Sequence, residues 1–350
     1  VALADALEIA PGDLVRLPLP APANGHTDAT TKAVQRALNA IESDEPNGLV
    51  LSMAVLREQV AQIHAQLRVC RFADVATDLP GLIRNLHTTL ATGTHHAQLL
   101  DLAVYLHVHI TRMWLIRAGA SDDLKHRTVF LARRLAHERD DVTTLAIAGL
   151  NVADSLMHSG DFDESRAVLN SITLPPTTPE TAGLVAYLTV THAKAAVLQS
   201  RPEDGAAPMD AAAELAERFG ATGQPDSRGF LFSPISAAID RSWLALENNE
   251  PDQAVRFARQ ADPRQAPFPI NQTYWWINYG WALSKLSGRQ DDAVRALRTA
   301  ERIFPTATLR NQAVRETLGE LLTQGSARTM GVELRGMAYR AGVLTQQAPA

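Results

Sequence analysis

The chain has 350 residues, a net charge of −5, 46% apolar and 20% charged residues, and a single cysteine. The acid-leaning balance argues against a nucleic-acid surface spread over the whole chain. Cys70 alone excludes an internal disulfide and fits a reducing, cytoplasmic setting; no apolar run approaches the ~20 residues that cross a bilayer, so no membrane partner is expected.

In chain order, residues 1–17 read as two short helices, 2–9 and 11–17, with Asp13 in the first turn of the second. No basic flank of a secretory signal opens them. Residues 16–25 (RLPLPAPANG) are proline-rich and semi-rigid, and 18–27 form a linker between a small head and a large body. A helix over 28–42 follows, then seven helix pairs: 51–69 with 72–91, 95–118 with 121–138, 141–158 with 161–172, 179–199 with 205–219, 233–248 with 251–262, 272–286 with 289–304, and 308–324 with 327–342. Ser233-Pro234 and Thr178-Pro179 each put a capping hydroxyl before a proline at the first helical position. Ser121 before Asp122 and Asp123 places acids at a helix N-terminus. Two longer loops, 221–232 and 262–271, interrupt the array, and residues 346–350 are expected to form a disordered tail.

The plan is plainest over 272–305 (QTYWWINYGWALSKLSGRQDDAVRALRTAERIFP). Trp276 lies four residues before Gly280, the turn falls at Ser287–Gly288, and Ala293, Leu297, Ala300 and Pro305 follow at steps of three to five. Small residues let two helix axes approach, a larger one fills the gap, and proline stops the second helix. Equivalent turn-plus-helix segments occur at Gly160–Phe162–Ser165–Leu169–Ile172, Asn249–Pro251–Ala254–Ala258–Ala261 and Cys70–Phe72–Val75–Leu79–Leu82. This pattern resembles the tetratricopeptide repeat (TPR). The resemblance implies an all-α, right-handed superhelical solenoid of about seven helix pairs over 28–345.

Enzyme signatures are missing: there is no phosphate loop, no HExxH, no GxSxG and no cysteine pair, and no cofactor is expected. His95, His96, His107 and His109 cluster in sequence. On a helix His107 and His109 point about 160° apart, so both cannot hold one ion. Cys70 occupies the tight-turn position where other repeats carry Gly or Asn, which favours a small packed side chain over a redox sensor.

Phe268, Tyr274, Trp275, Trp276, Tyr279 and Trp281 crowd one stretch. Trp276 and Tyr279 are expected in the core, with Trp275 or Trp281 facing a groove. Counted back from the turns, Asn151 and Asn278 fall at equivalent places on first helices, with Asp240 and Arg241 between them and His109 and Arg112 nearby. An asparagine amide can bond both N–H and C=O of an extended peptide. Asn151, Asn278, Asp240, Arg241, His109, Arg112 and Trp275 are therefore the expected effector site, unless they are ordinary solvated positions.

Leu3-Ala4-Asp5-Ala6-Leu7, a short turn and Leu14 resemble the last two helices of the XRE (phage-repressor-like) helix-turn-helix domain; an irregular N-terminal cap is the other reading. Together with the array, the chain resembles XRE-family transcriptional regulators with a C-terminal TPR sensor, of actinobacterial type, and more distantly the TPR peptide-pheromone receptors. That resemblance implies a homodimer whose TPR domain binds a signal peptide or small molecule and controls a DNA-binding head. Leu318, Leu322, Met330, Leu334 and Met337 are the expected contribution to the dimer interface. The competing reading is a TPR adaptor that docks proteins and never touches DNA, and a helical enzyme is the third.

Overall fold

The computed structural model describes residues 24–199, 201, 203–219, 232–266, 268–324 and 331–344, and every regular element among them is helical. Helix α1 (Asn24–Glu42) starts inside the expected linker, so that linker ends by residue 23. Its Val34, Ala37, Leu38 and Ile41 recur at helical spacing and are all buried. Then come α2 (Met53–Arg68) with α3 (Phe72–Leu90), α4 (His96–Ala118) with α5 (Asp122–Arg139), and α6 (Val142–His158) with α7 (Phe162–Asn170). Next are α8 (Pro179–Leu198) with α9 (Glu203–Phe219), α10 (Pro234–Glu247) with α11 (Pro251–Arg259), and α12 (Pro269–Ser284) with α13 (Gln290–Ile303). The segment expected as one helix from 308 is two, α14 (Pro305–Arg310) and α15 (Gln312–Gln324), before α16 (Gly331–Arg340). Asn311 makes the break: its backbone is extended and its Oδ1 accepts from the Val314 N–H, so it caps a new helix. The head segment 1–17, the loop 221–231 and the tail 346–350 lie outside the described residues.

The turn alignment holds in three dimensions. Cys70, Gly160, Asn249 and Gly288 all have positive φ, at 64°, 86°, 57° and 73°. At the first three, the next N–H reaches back five residues: Arg71 to Gln66 O, Asp161 to Leu156 O and Glu250 to Ala245 O, at 2.7–3.0 Å. This is the hydrogen-bonded helix stop that needs one left-handed residue. The helix starts are equally local. Thr178 and Thr181 form a capping box ahead of Pro179, and Ser121 Oγ accepts from the Leu124 N–H.

The chain divides into two units, one spanning Gly25–Asp240 and the other beginning at Arg241, with the division inside α10. In the first, successive first helices touch (α2–α4, α4–α6, α6–α8) and second helices touch the next first helix (α3–α4, α5–α6, α7–α8). One continuous apolar core results, from Val34 to Leu188. Helices α4 and the 181–198 portion of α8 are long and apolar enough to cross a bilayer, which the sequence reading had excluded; most of each window, 67% and 56%, is buried against neighbours instead.

In the second unit α12 packs on α11, α13 and α15, and α13 on α16. A Cβ added at Gly280 would sit 2.9 Å from Leu297 Cδ2 and 3.3 Å from the Ala293 carbonyl oxygen, so the glycine permits the close crossing of α12 and α13. Glu301 of α13 accepts from Arg340 of α16 at 2.6 Å and from Arg298, tying the last helix down with a buried ion pair. Leu318, Leu334 and Met337 are buried inside this unit and Leu322 packs on the same core. These four side chains are therefore used within the chain's own core rather than on the expected dimer surface; Met330 is outside the described residues.

Gly280→Ala should lower stability by about 1–3 kcal/mol, because Leu297 or the helix axis must give way. Leu297→Val in the same chain should restore part of the loss, as read from thermal or urea midpoints. An alanine variant as stable as the parent would contradict the packing argument.

Candidate functional site

Within α4 the backbone widens to a π turn over Leu106–Thr111, closed by the Arg112 N–H on His107 O. Such wide turns are uncommon and often occur at functional sites. Here the turn sends alternate side chains to opposite sides. His107 is fully buried, with Nε2 2.9 Å from His87 Nε2. A bond between two such nitrogens needs one bearing a proton and one bare, so at most one ring can be charged, and burial favours the neutral form of both. His107 Nδ1 meets no partner, which favours the tautomer with its proton on Nε2, since a buried bare nitrogen costs less than a buried orphan N–H. Burial, reinforced by Arg134, lowers His87 to about 4; burial and then His87 push His107 well below the ordinary histidine value.

On the other side His109 lies 4.9 Å (ring centroids) from Tyr105 and stacks at 6.3 Å on His64 of α2. His64 Nδ1 is 2.5 Å from the Tyr105 hydroxyl. Burial first, then Arg68, brings His64 to about 4. The four sequence-clustered histidines therefore separate. His96 pairs with Glu138 at 2.8 Å on the surface, and His107 and His109 part company across the helix.

Tyr105, His109 and Arg112 share one face of α4, and from Arg112 a line of alternating charge runs across the first helices of the unit. Arg112 pairs with Asp154 of α6, and its Nη1 donates to Asn151 Oδ1 at 3.4 Å. Asp154 also feels Lys194 of α8, and Lys194 in turn pairs with Asp240 of α10 at 2.9 Å. Burial alone would raise the Asp154 carboxyl, but Arg112, His158 and Lys194 outweigh it and hold it below the usual carboxylate range. The Arg112 side chain is 9% exposed and that of Asp154 28%, so only the guanidinium end of the pair is nearly dry.

The seven expected residues thus fall in two groups. His109, Arg112, Asn151 and Asp240 belong to the first unit, and the structure brings Arg112 and Asn151 together. Asn151, 8% exposed, donates through Nδ2 to Ile147 O of its own helix, so part of the amide expected for a peptide is already engaged. Arg241, Asn278 and Trp275 belong to the second unit. Arg241 lies over the Phe257 ring at 4.3 Å, and Asn278 is 6% exposed.

Trp275 reverses the expectation. It is 6% exposed, donates from Nε1 to Ala258 O at 2.9 Å and stacks on Tyr279, while Trp276, Tyr279 and Trp281 are the half-buried ones. An indole that must satisfy its N–H goes where a helix-end carbonyl is free, here at the end of α11. Asp154, Lys194, Tyr105 and His64 were missed by the sequence reading. Their signal was there to find: Arg112 and Asp154, 42 residues apart, and then Lys194 and Asp240, alternate in sign at roughly one helix pair each. Comparison with family models, with curated proteins and with solved structures finds no match to this chain.

Two measurements probe this face. Arg112→Met leaves Asp154 without its main partner and should cost about 3–5 kcal/mol, whereas combining Arg112→Met with Asp154→Leu should recover most of it; a mild single variant would mean the pair is solvated. For pH, His64 and His87 have folded values near 4 against 6.5 unfolded. The unfolded chain therefore takes up protons first as pH falls. Stability is full above about 6.5 and declines toward 4, by up to about 1.4 kcal/mol per pH unit for each ring. Urea midpoints at pH 7 and pH 5 should show the fall, and a midpoint equal or higher at pH 5 would contradict it.

Proposed function

We propose that this chain is the sensor portion of a ligand-responsive transcriptional regulator. Its helix pairs form a TPR-like solenoid whose first helices line the inner face, where a signal peptide or small molecule binds. The solenoid reading is supported by the neighbour pattern in the first unit, first helix to next first helix and second helix to next first helix, and by the shared left-handed turn residues. The observation that carries the functional reading is the line Tyr105, Arg112, Asp154, Lys194 and Asp240, which concentrates costly half-buried polar groups on successive first helices. A scaffold needs no such line, because an apolar seam would be as stable.

In this reading residues 1–17 are the end of an XRE-type DNA-binding head, the working form is a dimer that reads two half-sites, and the chain catalyses nothing. The test is selection from random-sequence duplex DNA by two proteins: the 350-residue chain, and the same chain extended upstream by its own gene. The extended protein should enrich an inverted repeat, and the 350-residue chain should enrich nothing, since base-edge contacts specify a site. If the extended protein also enriches no sequence, the regulator reading fails and the adaptor reading takes its place.

A further inference from the structure

His87 of α3 and His107 of the wide turn face each other through their Nε2 atoms at 2.9 Å, with ring centroids 5.2 Å apart and the rings tilted by 46°. His107 is fully buried and His87 is 7% exposed. Their neighbours along both helices, Ile83, Leu86, Leu90, Leu106, Val108 and Ile110, belong to the apolar core. Whichever Nε2 donates, the other must be bare to accept.

The neutral pair carries two protons on four ring nitrogens, and one facing nitrogen must stay bare to keep the bond. A third proton therefore leaves both Nδ1 atoms protonated, wherever it enters. His107 Nδ1 has no protein acceptor, so that proton creates a buried charge with an orphan N–H. A fourth sets two N–H groups head to head and breaks the contact. The surrounding charges do not help. Arg134 of α5 acts on His87 and repels protons, and the group that acts on His107 is His87 itself. Arg84 of α3 is engaged by Pro46 O and Arg36 O, and His64 of α2 meets Tyr105 on the other side of α4.

We propose that the His87–His107 pair is an acid-operated latch, joining α3 to the wide turn of α4 and letting that turn open before the rest of the unit unfolds. Opening frees the rings, which then take up protons with the ordinary affinity of histidine, near 6.5. Above about 6.5 the opened state gains nothing from protons. Below it the opening constant rises about tenfold per pH unit for each ring that gains a proton, until the closed pair itself titrates. His109 lies on the same turn, so opening also loosens its contacts with Tyr105 and His64.

The experiment is hydrogen exchange of the full 15N-labelled chain, read as protection factors so that the intrinsic pH dependence of exchange drops out. Between pH 7 and pH 5 the amides of Leu106–Thr111 should lose protection by about thirtyfold for each ring that titrates, and those of residues 184–196 in α8 should lose less. His87→Gln offers an oxygen to His107 Nε2–H but takes up no proton, so the loss at the wide turn should be about thirtyfold smaller. The double variant His87→Leu with His107→Leu should abolish the loss, and His64→Gln should leave it in place. If the double variant does not fold, His87→Gln decides. Equal losses at the wide turn and in α8 would overturn the latch, because opening would then be global. So would unchanged protection of the wide turn at pH 5, or an undiminished loss in His87→Gln.

Discussion

A pair of short amphipathic helices cannot cover its own apolar side, and this constraint organises the first unit. Each first helix there is flanked by its own second helix, by the preceding second helix and by the neighbouring first helices. Such a helix needs apolar residues nearly all round, and α4, α6 and α8 are built that way. It also explains why α4 and α8 reach the hydropathy of a membrane span while most of each window is buried within the protein. In the second unit the second helices α11 and α13 are by contrast strongly amphipathic, with one clear polar face each.

Against that apolar background the polar groups of α4, α6 and α8 stand out. A nearly buried guanidinium with a half-buried carboxylate and ammonium costs desolvation that packing alone would not require. Their alternation in sign holds the cost down, since each charge finds its opposite on the next helix. The π turn serves the same end: it keeps Tyr105, His109 and Arg112 on one face while turning His107 to His87 on the other.

Most of the fold was legible in the sequence, because helix pairs are written in local signals. Glycine or asparagine at the stop, serine or threonine before the start, and small residues at the crossing each act within a few residues, and Gly160, Asn249, Gly288 and Thr178 did what their types suggest. Where two local signals competed, the reading slipped. Asn311 could continue a helix or cap one, and it caps; residues 24–27 could belong to a linker or a helix, and they are helical. The site was legible only in part, because side-chain partnership is non-local. Arg112 and Asn151 were recognisable as polar interruptions of apolar helices, yet Asp154 and Lys194 emerge as partners only when charges are compared one helix pair apart. Trp275 was misplaced for the same reason: its acceptor, Ala258 O, belongs to another helix.

The two histidine groups show how much chemistry a single helix can separate. His107 and His109 are two residues apart, yet one ends in a proton-sharing pair with no solvent and the other in an open cluster of rings. Burial makes the first pair a neutral strut, since protonating both rings would put like charges in contact in a dry place. The second cluster is half-buried and keeps a phenol and two imidazoles within reach of solvent. Helix α4 therefore carries aromatic rings and the Arg112–Asp154 pair on one face, and on the other a packed core. Rigid support behind a polar face matters because side chains already held in place lose less freedom when a partner binds.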